Sequence, residues 1–109
     1  MKKRLLLLLA IFATTIGTHG GVHQPWWNLE PNPVNPRAKV NFGIPHDAMV
    51  SIRVYDIHGR LATTVVDGRM SAGTHSADFD GARMASGVYL MVLRVQGEKA
   101  LKKRVTVLK

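Results

Sequence analysis

Five histidines, His19, His23, His46, His58 and His75, are the residues of this chain best suited to hold a metal or move a proton. Each stands alone in its own turn or strand pattern, and none has a partner at a spacing such as His-x-His. A structural zinc site needs four converging ligands, commonly including cysteine, and the chain has no cysteine. The aspartates Asp56, Asp67, Asp78 and Asp80 sit at or beside turn signals, where a carboxylate commonly bonds the local backbone. Asp78 and Asp80 share one side of a strand, but calcium takes about six to eight oxygens, and two carboxylates do not make a site. Ser51, Ser71, Ser76 and Ser86 lack the sharp glycine-flanked turn that activates a serine nucleophile, and no glycine-rich phosphate loop opens a helix. The expectation is a chain without catalytic residues, metal or cofactor, and so not an enzyme.

Two further groups of residues are suited to binding rather than catalysis. Trp26-Trp27 offers aromatic faces to a sugar or a lipid headgroup layer, or to the nearest apolar surface of its own fold. Lys99, Lys102, Lys103, Arg104 and Lys109 concentrate positive charge near the end of the chain. Such a strand suits an anionic surface glycolipid, or keeps a sheet edge solvated. It lacks the interleaved aromatics of a single-strand nucleic-acid groove, so nucleic acid is not expected as a partner.

The elements that carry these residues are strands. Val40, Phe42 and Ile44 alternate with polar neighbours, as do Val50, Ile52 and Val54, and a period of two places each set on one face of a sheet. Asp56-Ile57-His58-Gly59 supplies a tight turn before a short strand over Leu61 to Val66. Asp67-Gly68 and Ala72-Gly73 punctuate the following loop. Thr74 to Phe79 comes next, with His75, Ala77 and Phe79 on one face. Asp80 to Gly87 is a loop. Val88 to Val95 is apolar on both faces until Arg94, which suggests a central strand. After a turn at Gln96-Gly97-Glu98, Ala100 to Leu108 forms the last strand. Its Leu101, Val105 and Val107 want the core, yet Lys103 shares their parity. Strands at this spacing, with no helical period, read as a β-sandwich.

Ahead of the strands the chain reads differently. Lys2, Lys3 and Arg4 precede the apolar run Leu5 to Phe12, and Thr18-His19-Gly20 places small side chains around a cut before Gly21. Residues 1–20 are therefore expected to be a cleavable signal peptide, whose apolar stretch of 12 residues, Leu5 to Ile16, is too short to span a bilayer, which takes about 20. Removing the three cations Lys2, Lys3 and Arg4 lowers the formal charge from +8 to +5. Residues 21–36, with Pro25, Pro31, Pro33 and Pro36, read as a proline-rich linker, and residues 37–109 as the folded module.

The module's motifs run in a fixed order. Asn32-Pro33-Val34-Asn35-Pro36 is followed by Val54-Tyr55-Asp56-Ile57-His58-Gly59-Arg60. Ala72-Gly73-Thr74-His75 and Phe79-Asp80-Gly81 come next. Ala85-Ser86-Gly87-Val88-Tyr89 and Lys103-Arg104-Val105-Thr106-Val107-Leu108-Lys109 close the series. This series resembles the type A C-terminal sorting domain of the type IX (Por) secretion system. It is also similar to the Ig-like domain of the flagellar hook-capping protein. Val105 stands where methionine is common in the sorting family.

The resemblance implies a seven-stranded, Ig-like, all-β sandwich behind a signal peptide, acting as a monomer. Its implied role is sorting without catalysis, carrying an exported protein through the periplasm to the outer membrane, the cell surface or the medium. Its implied partners are the outer-membrane translocon and the processing protease of that system. The recognition residues implied are Gly59, Arg60, Gly87, Tyr89, Lys102, Lys103, Arg104 and Lys109. The hook-cap likeness keeps open a second role, a stand-alone binding or scaffolding domain at the cell surface.

Overall fold

Alternation of apolar and polar side chains builds seven strands over the residues described by the computed structural model, 21–109. The signal peptide expected in residues 1–20 lies outside them. The strands are β1 (Trp26–Glu30), β2 (Arg37–Ile44), β3 (Ala48–Tyr55), β4 (Leu61–Met70), β5 (Gly73–Asp80), β6 (Gly87–Val95) and β7 (Leu101–Val107). They form two antiparallel sheets, β1-β2-β5 and β4-β3-β6-β7. The constant-type Ig arrangement places its fourth strand on the sheet that holds the first two. Here β4 pairs with β3 and widens the opposite sheet.

The inward face of every strand feeds one core. Leu29, Val40, Phe42, Ile44 and Phe79 come from the three-stranded sheet. Val50, Ile52, Val54, Met91, Leu93 and Val105 meet them from the other. No polar or charged residue is buried among the described residues. The core is thus an apolar interlayer held by surface burial, roughly 1.5–3 kcal/mol per large side chain. β6 takes the central place expected of it, between β3 and β7.

Two expectations are corrected. Residues 26–30, read as linker, form β1, with Trp27 opposite Phe42 and Leu29 opposite Val40. The prolines obscured this strand because they cluster after it and bracket it without interrupting it. Farther on in the same stretch, Val34 is fully buried and forms a parallel bridge with Val107. Asp67-Gly68, read as loop, lie inside β4 opposite Ser51 and Val50. Cross-strand pairing overrides the local turn preference there, helped by Arg53, whose guanidinium lies 3.7 Å from the Asp67 carboxylate. The turn falls instead at Ser71-Ala72.

Candidate docking surface

The hairpin between β3 and β4 is built around one carboxylate. Asp56 Oδ1 accepts the backbone N–H of His58 at 2.8 Å and of Arg60 at 3.0 Å, and Oδ2 accepts Nε of Arg60 at 2.9 Å. The Asp56 carbonyl accepts the Gly59 N–H, and Gly59 adopts φ +83°, a left-handed conformation that side chains disfavour. These bonds, led by the Arg60 N–H, hold the Asp56 carboxyl below its ordinary range. The hairpin tip then projects Ile57 into solvent, 77% exposed.

A second fixed point lies at the start of β6. The Tyr89 hydroxyl donates to the Ala85 carbonyl at 2.6 Å, pinning the loop before the strand as a tyrosine corner does in Ig-like domains. Lys109 Nζ donates to the Ala82 carbonyl of the same loop at 2.9 Å. With hairpin and loop both fixed, the outward face of β6 is left open between them. Val88 is 45% and Leu90 39% exposed.

Register assembles the rest. Leu61, Tyr55, Leu90 and Arg104 stand opposite one another across all four strands of the β4-β3-β6-β7 sheet. Arg53, Val92 and Lys102 form the next row on the same face. A groove of about 370 Å³ runs along this face, lined by Tyr55, Ile57, Gly59, Val88, Leu90 and Arg104. Its floor is aliphatic, and its rim holds Arg104 and also Asp56, whose carboxylate is taken up by Arg60. Among the described residues neither Lys102 nor Arg104 has a carboxylate within ion-pair distance. The edge of β7 borders the groove. Val34 already occupies part of it, donating to the Thr106 carbonyl and accepting the Leu108 N–H. Strand alternation puts the backbone groups of Lys102 and Arg104 on the remaining edge.

The eight residues expected from the sequence therefore separate. Gly59 and Arg104 line the groove, Tyr89 supports its wall, and Lys102 lies one row away. Arg60 serves the hairpin, Lys109 ties down the loop before β6, and Gly87 opens β6 opposite Val107. Lys103 faces the other way: its ammonium sits 5.8 Å from the centre of the Trp27 ring on the opposing sheet. That placement explains a lysine at core parity, since its stem follows the sandwich edge and its charge ends on an aromatic face. Trp27 packs against the core accordingly. Ile57, Leu61, Val88 and Leu90 were not singled out from the sequence, and Tyr55 only as a residue of the Val54–Arg60 motif. The available signal was β6's second apolar face, which no other layer covers.

The remaining candidates for chemistry do not converge. Lys39 pairs with Asp78 at 2.9 Å and Arg37 with Asp80 at 3.5 Å. The Ala82 N–H, then Arg37, hold the Asp80 carboxyl below its ordinary range. His46 bonds the Asp47 carbonyl and the Glu98 carboxylate, contacts that raise its pKa. His75 stacks on Phe42 with ring centres 5.4 Å apart. No three His, Asp or Glu side chains come together as a metal set among the described residues.

Among known families, the sequence profile of the secretion system C-terminal sorting domain matches residues 28–107, from within β1 to the last residue of β7. No curated protein matches the chain.

Proposed function

From the premise that the chain belongs to the secretion system C-terminal sorting domain family, we propose that the secretion machinery reads the groove on the β4-β3-β6-β7 face. Membership itself carries a type IX sorting role, interaction with that machinery, and export toward the outer membrane and the surface or medium. The finer reading is that this role involves no catalysis. A translocon component lays an extended segment along the free edge of β7 at Lys102 and Arg104 and buries an apolar side chain against Val88 and Leu90. Main-chain bonds supply affinity in this mode, and side-chain pockets supply selectivity. One observation carries the reading: a row in which exposed Leu61 and Leu90 flank half-buried Tyr55 and which ends in Arg104, a residue with no carboxylate within ion-pair distance among the described residues. Apolar anchors beside arginine are the composition of an interface centre. The cations Lys102 and Arg104 also support contact with an anionic surface glycolipid and, in the same transit through the periplasm, access for the processing protease.

The test is a reporter carrying a signal peptide in front and residues 21–109 behind, expressed in a host with a type IX system. Arg104→Glu is expected to leave most of the reporter in the periplasm while the module keeps its thermal midpoint. Surface delivery equal to the parent would remove the groove from the reading. Failure of the parent module to deliver the reporter would remove the sorting role of this chain.

A further inference from the structure

The outer face of the β1-β2-β5 sheet changes character along its length. One end is charged: Lys39 pairs with Asp78 and Arg37 with Asp80 across strands, and Glu30 stands beside Lys39. At the other end two rows carry no formal charge, although the chain as a whole carries +8. These rows are Trp26–Gly43–Thr74 and Asn28–Asn41–Ser76. Together with His75 their side chains line a shallow depression of about 490 Å³.

The details of this depression favour a ligand rich in hydroxyls. The Trp26 indole lies across Gly43, and a Cβ on that glycine would collide with ring atoms Nε1, Cε2 and Cδ1. Only glycine lets the ring settle onto the sheet, where it remains 38% exposed. Beside it, Asn41 Nδ2 donates to Asn28 Oδ1 at 3.0 Å. That bond fixes both amides and does not use Nδ2 of Asn28 or Oδ1 of Asn41, one donor and one acceptor for a ligand. The exposed hydroxyls of Thr74 and Ser76 stand next to them. An aromatic face packs against the C–H face of a pyranose, and fixed amides and hydroxyls pair with its ring substituents. A charge-free patch on a basic protein is complementary to an uncharged partner and gives no advantage to an anionic one.

We propose that this face is a binding site for a neutral saccharide chain at the cell surface. Trp26 stacks on one sugar ring, and Asn28, Asn41, Thr74 and Ser76 take its hydroxyls. The site lies on the opposite side of the sandwich from the groove and does not depend on the sorting reading. An exported module can therefore hold a glycan with one sheet while the other is engaged.

The experiment titrates the exported protein with maltohexaose, cellohexaose and mannohexaose, and with heparin as an anionic comparison. Amide NMR and tryptophan fluorescence report binding. At least one neutral hexasaccharide is expected to shift the amides of Asn28, Asn41, Thr74 and Ser76 at millimolar concentration. Trp26→Ala should weaken that binding about tenfold. Asn28→Ala, an exposed change, should weaken it about threefold and decides the matter if Trp26→Ala does not fold. No shift with any of the three neutral sugars would overturn the proposal, as would binding that survives both substitutions. A response to heparin alone, confined to Lys102 and Arg104, would overturn it too.

Discussion

The two outer faces of this sandwich are built from the same kind of strand and left in different states. On the β1-β2-β5 face both cations are paired and one end carries no charge: Lys39 meets Asp78, Arg37 meets Asp80, and Asn28 meets Asn41, with Glu30 the one carboxylate of that face left outside an ion pair among the described residues. On the β4-β3-β6-β7 face, exposed Leu61 and Leu90 flank half-buried Tyr55 in one row, and Lys102 and Arg104 border it without carboxylate partners among the described residues. The first face pairs both of its cations within the fold. The second keeps aliphatic side chains in water beside cations that have no carboxylate partner among the described residues, the composition of an interaction surface. The difference separates residues that hold the module together from residues available to be read.

Substitutions can break that comparison in order of expected size. Phe42→Ala removes a fully buried ring shared by both layers and should cost about 3–5 kcal/mol in urea denaturation. Both faces should be lost with it, which sets the behaviour of a merely unfolded module. Tyr89→Phe keeps the ring but deletes the 2.6 Å bond to Ala85, and should cost about 0.5–1.5 kcal/mol. Amide exchange should then speed up in the loop over residues 81–87, beside the groove, and not on the three-stranded sheet. Lys103→Ala and Lys102→Ala sharpen the contrast between neighbours. Losing the Trp27 contact should cost about 0.5–1 kcal/mol and leave sorting unchanged. Lys102→Ala should change stability by less than about 0.5 kcal/mol and reduce sorting.

Titration probes opposite ends of the fold. The carboxyls of Asp56 and Asp80 lie below their ordinary value of 3.8. Their stabilising contribution is therefore complete above 3.8 and is lost as pH falls through their lowered values. His46 lies above its ordinary value of 6.5, so its contribution is complete below 6.5 and is lost as pH rises through the raised value. Thermal midpoints should be highest between 3.8 and 6.5. Acid should loosen the hairpin at Gly59 first, and alkali the contact between His46 and Glu98, as resolved by amide exchange.

Much of this was legible in the sequence, for stated physical reasons. Period-two alternation in Val40–Ile44 and Val50–Val54 specifies which side chains face inward, and the core follows it. The Asp56–Arg60 turn was readable because its chemistry is local. β1 was not, since five residues bounded by prolines become a strand only when β2 supplies the partner. The extension of β4 through Asp67-Gly68 has the same origin in pairing with β3. The groove was half legible: Gly59 and Arg104 came from motif and charge. Leu61, Tyr55 and Leu90 form a row only through a register that includes two bulges between β3 and β4. Lys103 and Lys102 differ by one position and end on opposite faces, a distinction that a list of basic residues does not make.

The most direct measurement compares one change on each face in the reporter fusion, with thermal midpoints recorded in parallel. Leu90→Asp puts a charge on the groove floor, where Leu90 is 39% exposed, and Lys39→Ala alters the opposite face. The expected result is Leu90→Asp retained in the periplasm at an unchanged midpoint, and Lys39→Ala delivered to the surface like the parent. Normal delivery of folded Leu90→Asp, or loss of delivery with Lys39→Ala alone, would contradict the assignment of the β4-β3-β6-β7 face as the one that is read.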